Sequence, residues 1–225
     1  MESESDLMKK ILSLIFAAIL SAGLAGQASA DLIVEYDGIA GTSQTGTIGV
    51  LASSALDLTR GAGINAATGG SFNSNNFDSA TLADAIAVDE FLSFGFTPAA
   101  PVDLTDIQVA LDRSNTGPTT VYLFSSIGGF TPGDQITSAA IPDPVAIVNF
   151  DISSLTNVST ATEFRFYYAG ATSGAGTSDI EDDLIGGSGN VGLQVNGVAA
   201  AVIPEPSSMA LLGLVGLAGI VRRRK

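Results

Sequence analysis

Four acidic side chains stand close together late in the chain: Asp179, Glu181, Asp182 and Asp183, flanked by Gly-rich sequence. Carboxylates at that density suit a hard cation. Calcium takes about six to eight oxygens from carboxylates, carbonyls and water, so these four are candidate ligands for a structural calcium ion. The run has neither EF-hand spacing nor a Gly-Gly-x-Gly-x-Asp repeat, and a solvated acidic loop is the alternative reading. Glu35, Glu90 and Glu163 are further carboxylates, and a pair of them would serve glycoside hydrolysis if two met across a cleft. Tyr36, Tyr122, Tyr167 and Tyr168 offer rings for stacking on a sugar, with Tyr167 expected to be the exposed one. Arg113 and Arg165 are expected to pair with neighbouring acids such as Asp112 and Glu163. The chain has no His and no Cys. That removes Ser-His-Asp and Cys-His nucleophilic sites and zinc sites built on either residue. The reading is therefore non-enzymatic.

The elements that must position these residues read as strands. Short apolar or alternating runs sit between Gly, Pro, Asn, Asp and Ser clusters, the pattern of an all-β two-sheet sandwich. Leu32 to Tyr36 opens it, and Thr47 to Leu58 holds a second strand. Gly61 to Asn76 reads as a long surface loop, and Thr81 to Val88 as the best helical segment. Phe91 to Phe96 places Leu92, Phe94 and Phe96 on one face. Leu104 to Leu111 places Ile107, Val109 and Leu111 toward a core. Asp112 to Pro118 is a turn by composition, and Thr119 to Phe124 returns from it, so Thr105–Phe124 reads as a hairpin. Val145 to Phe150, Glu163 to Tyr168 and Val191 to Val198 complete about eight to ten strands.

Residues 31–203 carry nineteen Asp and Glu against three Arg and no Lys, a net charge of −16. A body of that charge repels nucleic acid and anionic lipid. The six remaining basic residues lie outside it. Lys9-Lys10, the apolar run Ile11 to Leu20, and Ala28-Ser29-Ala30 read as a secretory signal peptide over residues 1–30, cut by signal peptidase between Ala30 and Asp31. Glu2, Glu4 and Asp6 are out of place in such a leader, which points to a translation start at Met8.

The tail has three parts in order. Pro204-Glu205-Pro206 is stiff and extended, because each Pro lacks an N–H, fixes φ, and pushes the preceding residue out of the helical region. Met209 to Val221 is uncharged and Leu- and Gly-rich. It is shorter than the ~20 residues that usually span a bilayer, a mismatch that thinning and snorkelling absorb. A short transmembrane helix over about residues 208–221 is expected. Arg222, Arg223, Arg224 and Lys225 then mark the cytoplasmic side.

Residues 204–225 resemble the PEP-CTERM sorting signal: Pro204, Glu205 and Pro206 match its tripeptide, and Arg222 to Arg224 match its basic cluster. The resemblance implies a bacterial exported protein. It would be held transiently in the inner membrane, processed by a membrane protease of the exosortase type, and delivered to the cell surface or the extracellular polysaccharide matrix. The middle of the body is similar to the ectodomains of many such proteins. The similarity runs through Asp103 to Asp106, Asp112 to Pro118, Val121 to Phe130, Phe150 to Leu155 and Glu163 to Tyr167. It departs at Gly128, where Asp is more usual, and before the last strand, where Asp182-Asp183-Leu184 replaces an Asp-Asn pair. That similarity implies a jelly-roll-like sandwich akin to carbohydrate-binding modules. The expectation is a structural or adhesive matrix protein; the alternatives are a module with a defined glycan site and an extracellular glycoside hydrolase.

Overall fold

Phe94, Phe96, Phe164 and Phe166 alternate with polar or small residues along two strands, and all four are fully buried. The computed structural model shows why. It describes residues 29–38, 41–69, 71–182 and 191–201, and these form two antiparallel sheets packed face to face, with the rings between them. Phe94 lies 4.9 Å from Phe166 and 5.6 Å from Phe164, and Phe150 comes in from the opposite sheet at 5.2 Å from Phe166. With no disulfide available, this aromatic layer and the aliphatic side chains around it carry the stability of the sandwich.

The strands, in chain order, are β1 (Asp31–Asp37), β2 (Ser43–Gln44), β3 (Thr47–Ile48), β4 (Ala52–Arg60), β5 (Asn65–Ala66), β6 (Phe72–Asn75), β7 (Phe91–Pro98), β8 (Val102–Arg113), β9 (Thr120–Ser125), β10 (Thr137–Ala140), β11 (Ala146–Asp151), β12 (Thr162–Ala169), β13 (Ser178–Ile180) and β14 (Val191–Ala199). One sheet has the order β3-β1-β14-β8-β13-β6-β5, with β11 also paired to β8; the other runs β10-β9-β12-β7-β4-β2. The fourteen strands among the described residues exceed the eight to ten expected. The surplus consists of short segments such as β2, β3 and β5, whose two residues leave no periodic signal in sequence.

Two expectations are corrected. Thr105–Phe124 is not a hairpin. β8 pairs β14, β13 and β11 in one sheet, while β9 pairs β12 and β10 in the other. The Asp112–Pro118 turn is a corner between sheets. It is held by the Ser114 N–H to the Thr177 carbonyl and by the Thr177 N–H to the Ser114 hydroxyl. Gly61 to Asn76 is not one surface loop, since β6 threads through it with Phe72 and Ser74 buried. Arg60 fixes this stretch. Its guanidinium stacks 3.8 Å over Phe72 and donates to the Ser74 hydroxyl and the Asn73 carbonyl.

The helix α1 (Leu82–Ala87) forms where expected. Thr81 caps it, donating to Asp84 Oδ2 at 2.6 Å and accepting from the Asp84 N–H, a cap worth about 1 kcal/mol. Ala85 of α1 covers Phe124 and Tyr167 on the outer face of the six-stranded sheet.

The sandwich has two unlike ends. At one, β1 begins beside the end of β14 (Asp31 opposite Gly197) and β14 ends beside the start of β8 (Ala199 opposite Val102). The β3–β4 and β7–β8 connections meet there through the Ala99 N–H to the Leu51 carbonyl. At the other end lie the finish of β8, all of β13, and β6.

Candidate functional site

β13 lies between β8 and β6, so Asp179 has Asp112 as its cross-strand partner on one side and Asn73 on the other. Directly opposed residues share a face. Glu181 follows one residue after β13, its N–H bonded to the Ala110 carbonyl. The approach is tight. A Cβ on Gly192 would sit 2.4 Å from the Glu181 carbonyl oxygen, and one on Gly38 would meet the Glu181 backbone at the same distance. These glycines let β1, β13 and β14 close around Glu181. Carboxylate oxygens of Asp112, Asp179 and Glu181 consequently all lie within 4.8 Å of one another. One oxygen of Asp179 and the amide oxygen of Asn73 are buried without a hydrogen-bond partner.

The electrostatics follow from that crowding. Burial, then repulsion from Glu181 and Asp112, pushes the Asp179 carboxyl up to about 7. Glu181 is also raised by burial and by Asp112 and Asp182, with a hydrogen bond from Ser71 acting against the shift. The nearby guanidiniums are occupied elsewhere: Arg113 donates to the carbonyls of Ile141 and Ser114, and Arg60 to those of Gly41, Thr42 and Asn73. An all-oxygen set of this kind suits a hard divalent cation.

Of the four acids singled out from sequence, the structure therefore joins Asp179 and Glu181. Asp182 is adjacent and raises the Glu181 carboxyl; Asp183 lies outside the described residues. Asp179 is in a strand and not in a loop, because Ser178 and Ile180 on either side of it are buried. Asp112 was missed. The signal available was the extension of the β8 alternation by one more outward position.

A pH consequence follows. The unfolded Asp179 carboxyl titrates near 3.8 and the folded one near 7. The fold therefore binds this proton more tightly, and the group's contribution is fully present below 3.8 and lost as pH rises through about 7. Asp179→Asn is expected to raise the thermal midpoint at neutral pH and to flatten its fall between those values. The gain is on the order of 1–2 kcal/mol once solvent screening is allowed for. Thermal melts across that pH range check this.

The remaining candidates do not converge. Glu35 faces out from β1 on the eight-stranded sheet. Glu163 lies on the outer face of the six-stranded sheet, where Arg165 Nε binds its Oε1 at 2.7 Å. Glu90 is fully buried and accepts the N–H groups of Asp78 and Ser79, which pins the approach to α1. The expected Arg165–Glu163 pair is present. Asp112 instead accepts from the Arg113 backbone N–H. Tyr167 is not an exposed platform: it is 1% exposed, because α1 covers the face that alternation alone would leave open. Tyr36 and Tyr168 are buried as well.

A surface not visible in the sequence is the outer face of the eight-stranded sheet. Asn149, Gln108, Gln194, Glu35 and Thr47 stand opposite one another across β11, β8, β14, β1 and β3. Asp151, Asp106 and Asn196 form a second row beside them. Gln194 donates to Gln108, and Asn196 to Asp106, each at 3.0 Å. This is a ladder of amides and carboxylates without a ring in it.

Among solved structures, the chain is similar to a mutant of the family 29 carbohydrate-binding module CBM29-2 complexed with mannohexaose. The TM-score is 0.39 at 8% identity, covering 79% of this chain and 100% of that one; at that distance the likeness carries no inference about ligand. No curated protein matches the chain. A family model of the PEP-CTERM protein-sorting motif matches residues 202–225. Such a motif implies export and processing by an exosortase, a membrane protein. Pro204, Glu205, Pro206 and Arg222 to Arg224 all fall inside the matched residues, and the chain is a PEP-CTERM motif-containing protein.

Proposed function

We propose that this protein is a non-catalytic component of the bacterial surface or extracellular matrix. Residues 1–30 direct it out of the cell and are removed by signal peptidase. Residues 204–225 hold it transiently in the inner membrane, where an exosortase acts on it. The body then works against extracellular polysaccharide. The sorting motif at residues 202–225 is the observation that carries this reading. The start of β1 at Asp31 supports it, since among the described residues loss of 1–30 leaves every strand whole.

The outer face of the eight-stranded sheet is the working surface in this reading. Its Asn, Gln and Asp side chains supply donors and acceptors matched to sugar hydroxyls. Co-sedimentation of the exported protein with polysaccharide from the producing cells tests it. A Gln108→Ala/Asn149→Ala variant should bind about thirtyfold more weakly, since each of the two lost hydrogen bonds contributes about 1 kcal/mol. Equal binding by the variant, or none by the unaltered protein, removes the proposal.

A second reading is structural calcium at Asp112, Asp179 and Glu181, favoured by the buried Asp179 oxygen that has no partner. Asp112, Asp179 and Glu181 supply carboxylates there. Calcium should then raise the melting temperature of the unaltered protein and leave that of Asp179→Asn in place. Identical melts with calcium and with chelator count against it.

A further inference from the structure

We infer that the end of the sandwich bearing the β3–β4 and β7–β8 connections rests on the lipid surface of the membrane, with the acidic end pointing away from it. This inference rests on the reading that residues 202–225 are held in that membrane. β1 starts and β14 finishes at this end, side by side. The leader and the sorting motif, the two apolar segments, thus join the sandwich from the same end. Among the described residues, Ala200 is the last with a backbone hydrogen bond to the sandwich, its N–H bonded to the Pro101 carbonyl. Eight residues separate it from Met209, where the apolar run begins. Even fully extended they reach roughly 30 Å, and the headgroup layer takes about 6 Å of that.

The surface so tethered differs from the rest of the body. Residues 38–56, 91–102 and 152–162, which supply three of its connections, contain no charged side chain. Of the five large apolar side chains exposed among the described residues, three lie here: Val50 at 85%, Ile127 at 51% and Ile48 at 43%. Ala99, Ala100 and Pro101 are exposed between them. The carboxylates near this surface are Asp31, Asp103, Asp134, Asp151 and Glu163; Asp151 accepts from the Ser153 N–H, and Glu163, bonded through its backbone to Ser126, is paired with Arg165. Asp103 is engaged by the Asn157 N–H at 2.7 Å, and Asp134 by the Thr131 N–H and hydroxyl. Asp112, Asp179 and Glu181 are at the far end. A body of charge −16 is repelled by anionic lipid whichever way it turns. The repulsion is least with this end inward, because the field decays over a Debye length of about 8–10 Å. The exposed Val and Ile then gain apolar contact at the headgroup boundary.

The chain has no cysteine, so single labels are selective. The full chain carrying Val50→Cys, Ile127→Cys or Asn115→Cys is reconstituted into vesicles of equal parts phosphatidylethanolamine and phosphatidylglycerol. Each is labelled with a fluorophore, and quenching by headgroup-spin-labelled lipid is read. Flotation with the vesicles is checked first, and failure to float sinks the membrane reading itself. Given flotation, labels at positions 50 and 127 are expected to be quenched, and the label at 115, on the far turn, is not. Unquenched labels at 50 and 127, or equal quenching at 115, overturn the inference. Labels unquenched in pure lipid yet shielded in whole cells assign this end to the processing enzyme and overturn lipid contact.

Discussion

Replacing Pro204-Glu205-Pro206 with three alanines is expected to leave the protein in the inner membrane with its basic end attached. Proline fixes its own φ, carries no N–H and disfavours the helical region for the residue before it. Alanine, the strongest helix former, removes each of these constraints. A protease that reads an extended tripeptide loses its site, while the apolar run and Arg222 to Lys225, which in the proposed reading hold the segment in the membrane, are untouched. The expected result is near-complete loss of the processed form, with the full-length form accumulating in the membrane fraction. Fractionation and blotting of a tagged chain check it. Unchanged processing and location would show that the tripeptide is not read.

Tyr36→Phe is expected to cost the sandwich about 1–3 kcal/mol, the cost of leaving buried polar groups unpaired. Tyr36 belongs to β1 in one sheet, but its hydroxyl reaches β4 and β7 in the other. It accepts from the Gly95 N–H at 3.0 Å and lies 2.6 Å from the Leu56 carbonyl and 2.8 Å from that of Gly95. One O–H donates to only one of those carbonyls at a time. The β4–β7 pairing shifts register between Leu56 and Thr59, so the sheet's own ladder is broken beside these groups. Gly95 cannot be replaced there, since a Cβ would fall 2.1 Å from the Thr162 carbonyl oxygen. Burial raises the Tyr36 hydroxyl above its ordinary value, and it stays a neutral donor across the working pH range. Phe keeps the edge contact with Phe94 at 6.1 Å and loses only the oxygen. The denaturation midpoint should fall with little change in slope; an unaltered midpoint would mean that Gly95 and Leu56 find other partners.

What could be read from the residues alone depended on contrast between faces. β7, β12 and β14 were legible because Leu92, Phe94 and Phe96, then Phe164 and Phe166, then Leu193 and Val195 alternate with Ser93 and Gly95, Arg165, and Gln194 and Asn196. β6 and β13 were not, because Phe72-Asn73-Ser74 and Ser178-Asp179-Ile180 each bury a serine and point an amide or acid outward. The chain reversal after Asp112 was legible from turn chemistry, but the sheet in which the chain resumes was not. Turn preference is local, whereas pairing with β12 or β8 is decided by distant residues. For the same reason two of the three acids of the site, Asp179 and Glu181, were visible as a run in sequence, and Asp112 was not. The polar ladder lay hidden because its members come from five strands, one or two residues each.

The intact mass of the protein recovered from the outside of the producing cells tests the central claim most directly. The account predicts a chain that begins at Asp31 and has lost Arg222 to Lys225. A chain still carrying both its leader and Lys225, or one found only in the cytoplasm, would contradict it.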